Sequence, residues 1–207
     1  MPIITKIERQ KHRDTRVSVF VDDEYAFSLA DELILQYDVR VNKNVNDLPL
    51  EEMMREDEYR RCFTAAMRHL SHADKSEREM RDFLRRKAFE EATAERVLAR
   101  LKELSYVDDE QLARLYAERA DSLGKQAIRA KLRQKGVADE LIRSVLEDIS
   151  DESQLEAALE LGQRQKSRLK DEDVRKQKQK LAGFLARRGF DWETVKTVVE
   201  RLWEDEA

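Results

Sequence analysis

One short stretch with an apolar pair on a basic helix occurs three times in this chain. The three copies are Met80–Phe89, Ile128–Val137 and Leu181–Phe190. Each copy has the pattern of a short helix with an apolar ridge, a basic exposed side and a stop signal. A further apolar pair follows eight residues after each copy. A unit of roughly 50 residues therefore recurs, and such a period indicates a repeat architecture. The three later pairs are Val97-Leu98, Val145-Leu146 and Val198-Val199.

The composition favours helices over strands. Charged residues make up 41% of the 207 residues, and there are only five glycines and two prolines. A hydrophobic content of 41% suits several small modules that stack in a row better than one large core. The helical period of the apolar positions argues against disorder. We predict a mainly α protein, with three tandem three-helix repeats forming an elongated curved array behind a small N-terminal β-hairpin or sheet.

The N-terminal residues 3–29 have a different pattern. Val17, Val19 and Val21 alternate with polar or aromatic positions, and Asp22-Asp23 is a turn signal before a second strand. We expect two or three antiparallel strands and a short helix over residues 32–37 capped by Asp31. Residues 39–45 are read as a further extended piece. The predicted domains are 1–48 for the β element and 49–106, 107–150 and 151–207 for the three repeats.

Capping signals define the middle helix of each repeat. Ser76 and Glu79 have the spacing of a capping box, in which each side chain accepts the other residue's amide. Gly136 and Gly189 stand where a left-handed residue ends a helix, whereas the first copy has Ala88 and is expected to end less sharply. The predicted middle helices are Glu77–Lys87, Lys125–Lys135 and Val174–Arg188. The predicted first helix of the second repeat is Glu110–Asp121.

Charge is distributed unevenly although the net charge is only −4. Residues 125–136 carry five basic side chains and no acid, whereas residues 138–152 carry six acids and one arginine. The third repeat shows the same contrast. Such a chain can meet phosphates on one side and a protein on the other. The alternative is that these are simply solvated helices.

No catalytic or metal-binding constellation is found in the sequence. Asp108 and Asp109 precede a helix, where aspartate serves as a cap, and Asp191 is placed in the same way. His69 and His72 lack a third ligand, and His12 falls in a predicted loop. A phosphate-binding glycine loop is missing. We expect no catalytic residue, no cofactor, no metal and no enzymatic activity. Six aromatic residues are assigned to the core: Phe83, Phe89, Tyr106, Phe184, Phe190 and Trp192.

Cys62 is the single cysteine, which fits a reducing compartment rather than a disulfide framework. The N-terminal residues lack the pattern of a signal peptide, and no apolar run approaches the ~20 residues of a membrane span. We therefore expect a cytoplasmic protein without membrane contact.

Basic side chains on the three middle helices are the candidate contact residues. Lysine and arginine on rigid helices can bind phosphates in a sequence-independent, salt-dependent way, or bind acidic patches on a protein. The alternative for any single residue is that it serves solubility alone. The candidates are Arg81, Arg85, Arg86, Lys87, Lys125, Arg129, Lys131, Arg133, Lys135, Arg187 and Arg188.

Six segments have a characteristic order and spacing: Arg68–Ser71, Ser76–Met80, Leu84–Phe89, Val97–Leu104, Tyr106–Ala113 and Ile128–Gly136. Together they resemble the RecX family of regulatory proteins, and the resemblance covers about residues 58–203. The N-terminal β element resembles an extension present in some members. Ala88 departs from the usual glycine, and the third copy matches loosely until Phe184.

The resemblance implies a non-enzymatic regulator that binds the RecA recombinase. Members lodge in the groove of the RecA–DNA filament and restrain its ATPase, strand-exchange and coprotease activities in DNA repair and the SOS response. Several also bind DNA, so the expected partners are the RecA filament and single- or double-stranded DNA, bound without sequence preference. We expect a monomer. The alternative is a helical-repeat protein that binds DNA without sequence preference and acts without RecA.

Overall fold

The computed structural model describes residues 1–10, 13–118, 122–169 and 173–204. Within these ranges the chain forms three strands and ten α-helices, which confirms the mainly α fold with an N-terminal sheet. The chain divides into two compact units. The first comprises Met1–His72 with Arg81–Leu101, and the second comprises Ala73–Met80 with Lys102–Ala207.

The N-terminal sheet contains three antiparallel strands in the order β1-β2-β3. The strands are β1 (Ile4–Gln10), β2 (Arg13–Val21) and β3 (Glu24–Ala30). Asp22 and Asp23 join β2 to β3 with φ of 50° and 68°. Two consecutive positive φ values are what a tight hairpin turn needs, because they match the twist of the strands. The predicted hairpin turn is therefore confirmed.

A short helix, α1 (Asp31–Gln36), covers this sheet. The predicted cap at Asp31 is wrong: Ala30 occupies the cap position without a side-chain hydrogen bond, and Asp31 is the first helical residue. There its charge still favours the positive helix N-terminus. The extended piece predicted for residues 39–45 is also wrong, because the positive φ of Asn42 turns the chain. One bridge, between Ile3 and Asn44, and a 3₁₀ turn (Val45–Asp47) occur instead.

The nine other α-helices of the described residues form three successive groups. The group called repeat 1 is α2 (Leu50–Leu70), α3 (Glu77–Arg86) and α4 (Glu91–Glu103). The group called repeat 2 is α5 (Asp109–Glu118), α6 (Lys125–Lys135) and α7 (Asp139–Glu147). The group called repeat 3 is α8 (Asp151–Lys166), α9 (Val174–Arg187) and α10 (Trp192–Glu204). The predicted end of α5 at Asp121 lies outside the described residues, as does His12.

The predicted equivalence of the three copies is borne out in their cores. Leu84, Leu132 and Leu185 are each fully buried. In repeat 2, Leu132 packs in one cluster with Ile142 and the other apolar residues of α5 and α7. In repeat 3, Leu185 packs with the corresponding residues of α8 and α10. Burial of a large aliphatic side chain contributes about 1.5–3 kcal/mol, so a thin apolar core holds repeat 2 and another holds repeat 3.

The ends of the middle helices also follow the repeat. Gly136 and Gly189 have φ of 82° and 87°, as predicted for left-handed helix ends. Ala88 has φ of 57°, so the first copy ends in the same conformation despite its side chain, and the expected looser end is wrong. The capping box is confirmed. Ser76 Oγ accepts the Glu79 amide at 3.1 Å, and Glu79 Oε2 accepts the Ser76 amide at 3.0 Å.

Candidate functional site

The middle of α6 presents three of the predicted basic residues. Arg129 Nη1 donates to Gln126 Oε1 at 2.7 Å, and Arg133 Nε donates to Asp139 Oδ1 at 2.7 Å. The hydrogen bond with Asp139 raises the pKa of Arg133. Lys131 is exposed and has no charged partner within the described residues. On this helix Lys131 is therefore the cation most available to an outside partner.

The two lysines at the ends of α6 are engaged inside the second unit. Lys125 Nζ lies 2.8 Å from Asp151 Oδ1. Lys135 Nζ lies 2.9 Å from Glu79 Oε2 and 5.8 Å from the ring centre of Tyr116, and its side chain is only 18% exposed. Burial alone would lower the pKa of Lys135, but the hydrogen bond to Glu79 outweighs it and the pKa is raised.

Four candidate cations lie on α3, the middle helix of repeat 1, or directly after it. Arg81 Nε lies 2.7 Å from Glu95 Oε1, and Arg85 Nη2 lies 2.7 Å from Asp82 Oδ1. Arg86 is exposed and forms no ion pair within the ranges that the structure describes. The last of the four, Lys87, is exposed with its Nζ 5.8 Å from the centre of the Phe83 ring. Two of the four are thus held by acids and two face solvent.

The C-terminal end of α9 carries the last two candidates. Arg187 is exposed, with no acidic partner in the described part of the chain. Arg188 Nη1 donates to the Ser122 carbonyl at 3.3 Å, and its guanidinium lies 5.3 Å from the Phe184 ring centre. All eleven candidates stay predictions as contact residues. Four of them form the exposed group, which is exposed and has no acidic partner among the described residues: Arg86, Lys87, Lys131 and Arg187. The other seven form the paired group, whose side chains are held by an acid, by Gln126 or by a backbone carbonyl.

The first half of α9 contains basic residues that the sequence reasoning missed. Arg175 and Lys176 are exposed in the first turn, and no acid occurs from Val174 to Arg187. They lie before the point where the three copies align, because α9 starts about one turn earlier than α6. The absence of acids over the whole helix was the signal that could have found them.

The exposure of the aromatic residues corrects part of the core prediction. Trp192 is 69% exposed and Tyr106 is 51% exposed, so neither is a core residue. Trp192 occupies the repeat position of Glu91 and Asp139, which is a solvent-facing position in the first turn of the helix. Repeat register therefore overrides the apolar character of the side chain. Phe190, at 5% exposed, is buried as predicted. Phe83, Phe89 and Phe184 are half-buried.

Asp108 and Asp109, at the start of α5, each accept an amide from the first turn of a helix. Asp108 Oδ1 accepts the amide of Gln111 at 2.9 Å, which is the predicted role. Asp109 instead accepts the amide of Glu77, in the first turn of α3, at 2.8 Å. Burial raises the pKa of Asp109. Asp191 caps α10 by accepting the Thr194 amide at 2.9 Å, as predicted.

The described residues contain no group of three or more histidine, cysteine or acidic residues placed to hold a metal ion. His69 stacks on the Phe83 ring, with the ring centres 3.9 Å apart. None of the described helices combines the length and apolar character needed to cross a membrane.

An N-terminal β element followed by three helix triplets with basic middle helices defines a class of helical-repeat protein. Four family models match the chain in this order. Residues 2–46 match the regulatory protein RecX N-terminal domain. Residues 62–101, 108–146 and 151–199 match the first, second and third three-helix domains of RecX.

Whole-length relatives agree with these matches. The regulatory protein RecX of Clostridium perfringens is 34% identical over 206 residues, covering 98% of this chain and 97% of that protein. The regulatory protein RecX of Clostridioides difficile is 32% identical, covering 98% and 96%. The chain therefore belongs to the RecX family of regulatory proteins.

Two solved structures share the fold. A crystal structure of regulatory protein RecX has a TM-score of 0.68 and 24% identity, covering 96% of this chain and 98% of that one. The crystal structure of RecX from Lactobacillus salivarius has a TM-score of 0.63 and 23% identity, covering 71% and 97%.

Proposed function

We propose that this protein is a non-enzymatic regulator of the RecA recombinase that acts in the cytoplasm as a monomer. In this proposal it binds in the groove of the RecA–DNA filament and restrains ATP hydrolysis, strand exchange and coprotease activity. The observation that carries the proposal is the match of all four RecX domains, in order, along the chain. The basic middle helices supply a surface that can meet either phosphates or acidic side chains.

The exposed cations are the best contact residues within the predicted set. Arg86, Lys131 and Arg187 can bind a phosphate or a carboxylate without first giving up an acidic partner. Paired residues such as Arg133 must exchange one ion pair for another, which reduces the gain from binding. We therefore expect the exposed group to contribute more to binding than the paired group.

A titration of RecA tests the proposed function. RecA is assembled on single-stranded DNA with ATP, and ATP hydrolysis and strand exchange are followed as the protein is added. We expect both activities to fall when there is less than one protein per RecA protomer. An unchanged rate in that range, with no co-sedimentation of the protein with the filament, would exclude the proposal.

A pair of double variants tests the contact surface. Lys131→Ala with Arg187→Ala removes two exposed candidate cations, and we expect the concentration needed for half-inhibition to rise about tenfold or more, because roughly two charge contacts are lost. Lys196→Ala with Arg201→Ala removes the same charge from exposed positions of α10. Equal effects of the two double variants would contradict a specific role for the middle helices.

The acid-free α9 supports a second candidate function, sequence-independent DNA binding without RecA. This function predicts binding whose affinity falls steeply with salt, because released counterions dominate the free energy. Binding is measured without RecA at increasing salt for the protein and for Arg129→Ala, Lys131→Ala and Arg133→Ala. Tight, salt-sensitive binding together with no effect on RecA favours this function, and weak binding with intact action on RecA favours the first.

A further inference from the structure

Within the second unit, the first turn of α3 meets the end of α6, and the first turn of α6 meets the end of α9. At one junction, Ser76 Oγ donates to the Lys135 carbonyl at the end of α6. At the other, the Gly124 amide donates to the Arg188 carbonyl at the end of α9, at 2.9 Å. Ser76 and Gly124 hold the same repeat position, four residues before Met80 and Ile128, and Lys135 and Arg188 each precede a turn glycine. The contact therefore repeats with the sequence.

A second hydrogen bond recurs at each junction. The first amide of α3, at Glu77, donates to Asp109 Oδ1 at 2.8 Å. The first amide of α6, at Lys125, donates to Gln154 Oε1 at 2.9 Å. Both acceptors come from the first turn of the following repeat's first helix. Amides that a helix leaves unsatisfied at its N-terminus are thus satisfied by the next repeat.

Glycine fits these junctions because another backbone lies close to Gly124 and Gly189 and the Arg78 side chain lies close to Gly136. A Cβ on Gly136 would lie 2.1 Å from Arg78 Cδ, and one on Gly189 would lie 2.3 Å from the Ala127 nitrogen. A Cβ on Gly124 would lie 2.1 Å from the Gly189 carbonyl oxygen. Gly124 has φ of −72°, which any residue adopts, so close approach is its structural reason for being glycine.

The end of the first middle helix, α3, and the first half of the last one, α9, do not have the residues of such a junction. Ala88 stands at the position of Gly136 and Gly189, and it is exposed. Gln177 stands at the position of Ser76 and lies inside α9 rather than at its cap. Neither Ala88 nor Gln177 therefore offers one side of such a junction to a further partner.

We propose that Gly124, Gly136 and Gly189 are positioning residues. The close contacts of Gly124 and Gly189 set the register between repeats 2 and 3, and Gly136 allows the first turn of α3 to lie against the end of α6. The first turn of α3 contacts the glycine turn that ends α6, and the first turn of α6 contacts the glycine turn that ends α9. The register in turn places the basic helices for the contact with RecA. That last step rests on the proposed function, whereas the junction itself does not.

The variant Gly124→Ser tests the junction directly. Serine is the residue that the first copy has at this position and is a favoured cap, so local propensity predicts a neutral or stabilising change. The junction predicts the opposite, because the new Cβ meets the Gly189 backbone. Spin labels at the exposed Glu140 and Glu193, in a Cys62→Ala background, report the distance between repeats 2 and 3. We expect this distance distribution to shift or broaden, and an unchanged distribution overturns the inference.

Gly183→Ala is the matched control. Its Cβ would approach only the flexible Arg187 Nη1, at 3.3 Å, so the distance distribution stays as in the parent protein. If Gly124→Ser does not fold, Gly136→Asn is compared with Ala88→Asn by thermal unfolding. Asparagine tolerates positive φ, so we expect the midpoint to fall at position 136 and not at position 88. Equal midpoints overturn the inference.

The same variants are then added to RecA. A changed distance with weaker inhibition of ATP hydrolysis supports both the junction and its link to function. A changed distance with full inhibition keeps the junction and removes that link. If the parent protein itself fails to act on RecA, the proposed function fails while the distance measurement still decides on the junction.

Discussion

The N-terminal sheet and the later repeats are joined to their neighbours by different physical means. In the first unit, Arg16 of β2 donates two hydrogen bonds to Asp57 of α2, at 2.9 and 3.1 Å. Asp57 is only 3% exposed and also accepts the Ala30 amide at 2.9 Å. In the second unit, Gly124 and Gly189 bring two backbones together with no charge between them.

The difference shows how each kind of contact specifies geometry. A buried ion pair fixes direction and register, but its desolvation consumes much of its attraction, and the loss of one partner leaves an unpaired buried charge. A glycine contact carries no such charge and fails only when a side chain fills the space. Variants of the first kind are therefore expected to be the more damaging, and the predictions below test that order.

The largest expected effect comes from Asp57→Ala, which leaves Arg16 buried without its carboxylate. We expect the free energy of unfolding of the first unit to fall by about 3–5 kcal/mol, as measured by urea denaturation. Glu51→Ala on the same helix is the control, because its ion pair with Arg55 is exposed and worth at most about 0.5 kcal/mol. Similar losses for the two variants would show that the buried pair does not hold the sheet to α2.

A smaller effect is expected at the junction between α3 and α6. Here the ion pair of Lys135 with Glu79 lies near the close contact of Gly136 with Arg78. Lys135→Met removes the partner of the half-buried Glu79, and we expect a loss of about 1–2 kcal/mol in the free energy of unfolding. Arg129→Met, on the same helix and without an acid at its tip, is the control and is expected to cost less than about 0.5 kcal/mol.

The pH dependence of this loss follows from two pKa shifts. Burial would raise the pKa of Glu79, but hydrogen bonds from Lys135 and the Ser76 amide hold it below its ordinary value, and the pKa of Lys135 is raised. The Glu79 contribution is therefore complete above about pH 4.3 and lost as the pH falls through the lowered pKa. The Lys135 contribution is complete below about pH 10.4 and lost above the raised pKa.

The cost of Lys135→Met should accordingly be constant between about pH 6 and 9 and shrink in acid. Urea denaturation of the parent and variant proteins at several pH values measures it. A cost that stays the same at pH values well below the ordinary pKa of glutamate would show that the ammonium stabilises the junction without Glu79, through the Tyr116 ring.

The repeat, the caps and the core were predictable because they depend on neighbours within one turn. The capping box of Ser76 and Glu79 is a local pattern, and Leu132 is recognisable by its period. The pairing of Arg16 with Asp57 joins residues 41 positions apart, and no local signal indicates it. Trp192 lies beside the apolar ridge in the sequence, which predicts a core position, but it is exposed because it occupies a solvent-facing position of the repeat.

The basic candidates show the same difference between what local sequence predicts and what it does not. Their placement on the middle helices follows from the period, but which of them are neutralised depends on acids from other helices, such as Glu79 for Lys135. The glycines were recognised as helix ends, a local property. Their close contacts involve residues of the neighbouring repeat and required the three-dimensional arrangement.

The smallest expected effect concerns the glycine series itself. Ala88→Gly relieves an alanine held at φ of 57°, a conformation that costs a non-glycine residue about 1–2 kcal/mol. The gain is offset by the greater freedom of glycine in the unfolded chain, about 0.4–1 kcal/mol. We expect a net stabilisation of about 0.5–1 kcal/mol in urea denaturation. The reciprocal change, Gly136→Ala, adds the same backbone strain and also a clash with Arg78. It should therefore destabilise by more than Ala88→Gly stabilises, whereas equal and opposite changes would mean that φ alone selects glycine at this turn.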